Sequence, residues 1–84
     1  TEALMWYEKG AANGDSYAMR NAGLFYRNGL GTAKDDYKAY KYFEKAANLN
    51  HAAAMVHAGF MLEKGEGVTQ NYQKAFEWYK KYSI

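Results

Sequence analysis

The chain has 84 residues, 11 of them Lys or Arg and 9 Asp or Glu, for a formal charge of +2. So short a chain buries only roughly 60 to 65% of its unfolded surface, which predicts a thin core. The basic residues are spread along the chain, so nucleic acid is not an expected partner. The absence of cysteine excludes disulfides and thiolate metal sites while leaving the compartment open, and no stretch approaches the roughly 20 apolar residues of a membrane span.

From Glu2 to about Ala12, Ala3, Trp6, Tyr7, Gly10 and Ala11 recur at helical spacing and predict a helix with that stripe buried. Asn13-Gly14-Asp15 breaks and re-caps the chain. A second stripe, Ala18, Met19, Ala22, Phe25, Tyr26 and Gly29, predicts a helix to about Asn28. Gly29 and Gly31 supply the turn, because a chain reversing after a helix needs a residue that tolerates positive φ. Asp35 is placed to cap a third helix, with Ala39, Tyr42, Phe43, Ala46 and Ala47 inward and Lys38, Lys41, Glu44 and Lys45 wet. The scheme then repeats: a helix from His51 to Lys64, a turn at Gly65-Glu66-Gly67, a cap at Asn71, and a helix from Tyr72 to Tyr82.

This recurrence is the most informative feature of the chain. Ala3, Ala39 and Ala75 stand 36 residues apart, and the same displacement pairs Glu8 with Glu44, Met19 with Met55, Ala22-Gly23 with Ala58-Gly59, and Trp6-Tyr7 with Tyr42-Phe43 and Trp78-Tyr79. Short connections make consecutive helices antiparallel, so about five helices form a row of hairpins, each needing a neighbour to cover it. Gly23 and Gly59 each cost about 1 kcal/mol of helix propensity against alanine, so their recurrence predicts a packing reason.

The first unit reads Ala18, Ala22-Gly23, Tyr26, Gly29-Leu30-Gly31-Thr32, Asp35, Lys38-Ala39, Tyr42-Phe43 and Lys45-Ala46-Ala47; the second reads Ala54, Ala58-Gly59, Leu62, Gly65-Glu66-Gly67-Val68, Asn71, Lys74-Ala75 and Trp78-Tyr79. Over essentially the whole chain this resembles the Sel1-like repeats, a branch of the tetratricopeptide-type α-solenoids. The resemblance implies an all-α fold, a right-handed α-α superhelix of antiparallel hairpins. Residues 1–84 then form a single repeat domain. Residues 1–12 are the second helix of a partial repeat, 15–48 the first full repeat and 51–83 the second, a piece of a longer array. Ala22 and Ala58 stand where the family has Leu, the loop proline is missing, and Lys80-Lys81-Tyr82-Ser83 departs from the family's Lys-Ala-Ala ending.

No catalytic residue, metal ligand or cofactor site is expected. Gly29-Leu30-Gly31 and Gly65-Glu66-Gly67 follow no strand and complete no nucleotide fingerprint. His51 and His57 are six apart, not the i, i+4 spacing of a zinc pair. Ser16 and Ser83 have no base at activating spacing, and Asp35-Asp36 fits a helix N-terminus, where negative charge is favourable.

What the repeat skeleton leaves over is a stripe on the first helix of each unit: Tyr17, Arg20, Asn21, Leu24 and Arg27, with counterparts Ala53, Val56, His57, Phe60 and Glu63. The resemblance implies that first helices line the concave side of the solenoid, so these positions become a groove floor. Leu24 and Phe60 are then apolar anchors, rimmed by Arg20, Arg27, His57 and Glu63. The expected function is a non-enzymatic protein-interaction or adaptor module that holds a peptide or protein segment there, with weak end-to-end self-association through uncovered terminal faces. Two alternatives stand beside it. One is an envelope-associated enzyme or binder of small molecules or cell-wall fragments, because some bacterial relatives work in envelope pathways. The other is a structural spacer within a longer repeat protein.

Overall fold

The structure, a computed structural model, describes residues 2–83. Thr1 and Ile84, the outer limits of the domain span expected from sequence, lie outside the described residues. Five helices follow in order: α1 (Glu2–Ala12), α2 (Ser16–Asn28), α3 (Asp36–Asn48), α4 (Ala52–Lys64) and α5 (Tyr72–Ser83). The described residues contain no strand. Each helix packs on its chain neighbours, giving a stack of helical hairpins with extents of 36 × 23 × 14 Å.

The helix ends follow from local chemistry. The Asp15 carboxylate accepts from the backbone N–H of Tyr17 (2.9 Å) and Ala18 (3.3 Å), opening α2. Asp35 does the same for Lys38 N–H at 3.1 Å and Asn71 for Lys74 N–H at 3.0 Å, opening α3 and α5. Gly29 and Gly65 close α2 and α4 in the left-handed region, at φ 66° and 72°. Among α2 to α5, α4 lacks a side-chain cap bond, because His51 occupies the N-cap position that Asp15 holds one unit earlier.

The two hairpins, α2–α3 and α4–α5, are built on one contact. A Cβ added at Gly23 would lie 2.8 Å from Phe43 Cε1, and one at Gly59 would lie 2.6 Å from Tyr79 Cε1, so each ring rests on helix backbone where any other residue would hold it off. Phe43 is 0% exposed. Its other face stacks on His57 of α4, centroids 4.6 Å apart and planes at 19°, so this ring sets the spacing within its own hairpin and to the next. Alanines fill the narrow seams: Ala46, Ala47 and Ala54 are fully buried between α3 and α4.

Buried residues of the described chain are all apolar or tyrosine, and tyrosine hydroxyls at the core edge meet carboxylates. The Glu8 carboxylate accepts from Tyr42 Oη at 2.8 Å and Tyr26 Oη at 3.1 Å, tying α1 to both helices of the next hairpin. Burial, then Glu8, raises both tyrosines above the usual phenol range. Tyr40 is likewise raised to about 12, by burial and then the Glu44 carboxylate. The phenols therefore stay protonated in the fold after the unfolded chain has ionised, and their contribution is lost above the ordinary tyrosine value of 10.0.

The structure corrects two parts of the sequence-based core. In α1 the buried face carries Leu4 and Ala11, whereas Ala3 is exposed and Trp6 is 59% exposed with Lys9 Nζ 4.8 Å above its ring. Trp6's counterparts Tyr42 and Trp78 are half-buried because each meets the hairpin before it; among the described residues nothing plays that part for Trp6. In α3, Tyr40 is buried alongside the expected residues, while Tyr42 is only half-buried.

The ring-on-glycine contact sets an expectation. Gly23→Ala gains about 1 kcal/mol of helix propensity but overpacks a ring with no room to move, so urea unfolding should show a net loss of about 1–2 kcal/mol. Gly59→Ala should cost less, because Tyr79 is half-exposed and can shift. A stabilised Gly23→Ala variant would contradict this packing.

Candidate functional site

Residues 17, 20 and 27 of α2 and 53, 56 and 60 of α4 are left over by the hairpin contacts, and contacts between the two units bring α2 and α4 together along one wall. Tyr17 meets the His51 ring edge-on at 4.6 Å, and Ser16 Oγ lies 3.4 Å from His51 Nδ1. At the opposite end the Arg27 guanidinium lies 5.1 Å over the Phe60 ring and 3.6 Å from Glu66.

Along this α2–α4 wall the nine expected groove residues divide by environment. Tyr17 and Val56 stand open, at 65% and 37% exposed. Asn21 is half-buried. Leu24 is half-buried and packs on the core, so part of its apolar surface is already used. Phe60 is covered by two cations, Arg27 and Lys64, the latter 5.7 Å from the ring. Glu63 accepts a hydrogen bond from Tyr79 Oη at 2.9 Å, and His57 lies on Phe43.

Arg20 differs from the rest. Its Nε is buried and has no hydrogen-bond partner, and no carboxylate pairs with it among the described residues. It lines an open pocket of about 550 Å³ at the start of the wall, together with Ser16, Tyr17 and the segment Leu49, Asn50, His51, Ala52 and Ala53. Leu49, Asn50 and His51 were not among the expected site residues. The signal was present in the repeat comparison: residues 14 and 15 are Gly and Asp, whereas their counterparts 50 and 51 are Asn and His. Asn50 takes the same left-handed conformation as Gly14, at φ 66°. Two further furrows, between α1 and α3 and between α3 and α5, are lined by residues 36 apart, including Glu8 and Glu44, Lys38 and Lys74, and Tyr42 and Trp78. They belong to the repeat skeleton.

The wall is electropositive where Arg20 sits. Burial first, then Arg27, Arg20 and His51, lowers the pKa of His57; burial and Arg20 lower that of His51, with Asp15 opposing. Among the described residues no group of three or more His, Cys, Asp or Glu side chains is placed to hold a metal ion, and no helix is long and apolar enough to cross a membrane.

Both histidines are held neutral in the fold below the pH at which the unfolded chain takes up protons. Their folded pKa values lie under the ordinary 6.5, so stability is full above that value and falls as pH drops through it. Urea midpoints should therefore decrease between about pH 7.5 and about pH 5, and His57→Gln should flatten the slope. An unchanged slope in that variant would remove His57 from the account.

The Sel1 repeat family model matches residues 1–15, 16–51 and 52–81. Solved structures with the same fold include a Sel1 repeat protein from Oxalobacter formigenes, 38% identical, with a TM-score of 0.93 over 95% of this chain and 33% of that one. Helicobacter pylori cysteine rich protein B is 29% identical, with a TM-score of 0.92 over 95% of this chain and 60% of its own. A protective antigen present in uropathogenic Escherichia coli strains, displaying an SLR fold, is 34% identical, with a TM-score of 0.93 over 95% of this chain and 17% of its own. The chain thus spans less than two thirds of each of these proteins. No curated protein sequence matches it.

Proposed function

The chain belongs to the Sel1-repeat family, and from that premise we propose that it is a non-enzymatic interaction module whose α2–α4 wall is the concave surface on which a peptide or protein segment is held. The family is one of non-catalytic repeat scaffolds, and its solenoid fold generally mediates protein–protein interaction. What favours the α2–α4 wall is the division of labour among side chains. The α3 and α5 helices spend Phe43, Ala46, Ala47, Ala75 and Tyr79 on packing, and the inward faces of α2 and α4 spend alanine, glycine and methionine, whereas Val56 stands open, Arg20 has no carboxylate partner among the described residues, and Tyr17, 65% exposed, meets only the edge of the His51 ring. An open tyrosine and valine beside an arginine form the mixed apolar and charged surface from which binding hot spots are drawn.

The test uses peptides selected by phage display on the wild-type chain. Tyr17→Ser and Val56→Asp together should weaken the selected peptides by at least about tenfold, or about 1.4 kcal/mol, with the melting temperature held, since neither side chain is buried. Equal affinity for wild type and variant would place the binding surface elsewhere.

A further inference from the structure

Resting on the reading of the α2–α4 wall as a docking surface, we propose that the segment held there is acidic and that one of its carboxylates docks in the pocket floored by Arg20.

The electrostatic inventory of the wall carries this. Three carboxylates stand near it, and each is already engaged: Asp15 by the backbone N–H groups of Tyr17 and Ala18, Glu66 by Arg27 at 3.6 Å, and Glu63 by Tyr79 Oη at 2.9 Å. Arg20 has no such partner. Its Nε–H is buried against the protein, where an unmatched charged donor is costly, while the pocket beside it is open. The neighbouring imidazoles of His51 and His57 are neutral or positive and offer Arg20 no negative charge.

Geometry selects the kind of anion. A guanidinium presents its donors as a planar fork matched to a carboxylate, so a single Asp or Glu entering the pocket can accept end-on from the two terminal N–H groups. The pocket is also lined by Tyr17 and Leu49, both exposed. A peptide carrying an apolar residue beside its acid gains from those side chains, whereas a free small anion gains nothing from them.

The α4 N-terminus supplies a variant that separates charge from folding. His51 stands at the N-cap without making a cap hydrogen bond, and its counterpart in the preceding unit is the capping residue Asp15. His51→Asp should therefore keep or raise the melting temperature while adding, even as it caps the helix, a fixed negative charge beside Arg20 that repels an incoming carboxylate.

The experiment is a ¹H–¹⁵N titration of the chain, with the Arg20 side-chain Nε–H resonance as the reporter. The probes are two amidated, acetylated hexapeptides, Ser-Leu-Glu-Asp-Leu-Ser and its uncharged version Ser-Leu-Gln-Asn-Leu-Ser, with sodium acetate as the free-anion control. The acidic peptide should shift Arg20 Nε–H and the amides of the α2–α4 wall. Its affinity should exceed that of the uncharged peptide by at least about fivefold at low salt and converge on it as salt is raised. Arg20→Gln and His51→Asp should remove that advantage, and Lys38→Gln/Lys41→Gln on the opposite face should leave it intact.

Equal binding of both peptides on the wall would overturn the acidic preference while leaving the wall as a docking surface. Shifts confined to the α1–α3 furrow that Lys38 and Lys41 line would overturn the docking surface itself. Acetate reproducing the full Arg20 response at matched concentration, or no response to either peptide, would also overturn the proposal.

Discussion

Phe43 is the residue on which the geometry of this small solenoid turns. Its ring rests on α2 at the one point where the helix carries no side chain, Gly23, and offers its other face to His57 of α4. A single fully buried ring therefore sets both the closeness of the helices within a hairpin and the step to the next. The cost of glycine in a helix is about 1 kcal/mol, and a ring embedded against backbone more than offsets it, since burying an aromatic side chain is worth about 1.5–3 kcal/mol. With no cysteine in the chain and a core made largely of alanine, there is little else to hold the helices at this distance.

The wall follows from that arrangement. Because the α3 ring docks on one face of α2 and the Tyr79 ring on the same face of α4, the faces turned away from the rings come into register, and Tyr17 meets His51 while Arg27 meets Phe60. His57 belongs to both systems, stacked on the core ring from inside and lying beside the cations of the wall. Fold and candidate surface are thus mechanically continuous: what displaces Phe43 moves His57.

Most of the fold was legible in the sequence because the repeat gives each position a second reading. Helix ends at Asp35 and Asn71, the turns at Gly29 and Gly65, and the glycine at 23 and 59 all stood in register, and a residue required by geometry is required twice. What escaped were positions where the repeat is uneven. Trp6 matches Tyr42 and Trp78 in type yet stands in solvent, because periodicity reports a face and not whether another helix covers it. Tyr40 has Leu4 and Phe76 as counterparts; Leu4 is buried with it and Phe76 is exposed, since the covering comes from the following layer. At the wall, the stripe from Tyr17 to Glu63 could be listed by helical spacing, but Arg20's solitary state could not. That depends on which carboxylates their own neighbours have taken, a three-dimensional fact.

The contact at the centre of this account can be observed directly in solution. A ¹H NOE spectrum of the chain should show cross-peaks between the Phe43 ring protons and the Hα protons of Gly23, with those Hα resonances displaced by the ring current, and between the Phe43 ring and His57. Gly23 Hα resonances at ordinary positions with no NOE to Phe43 would mean that the hairpins are held by some other contact, and the wall built on that spacing would go with it.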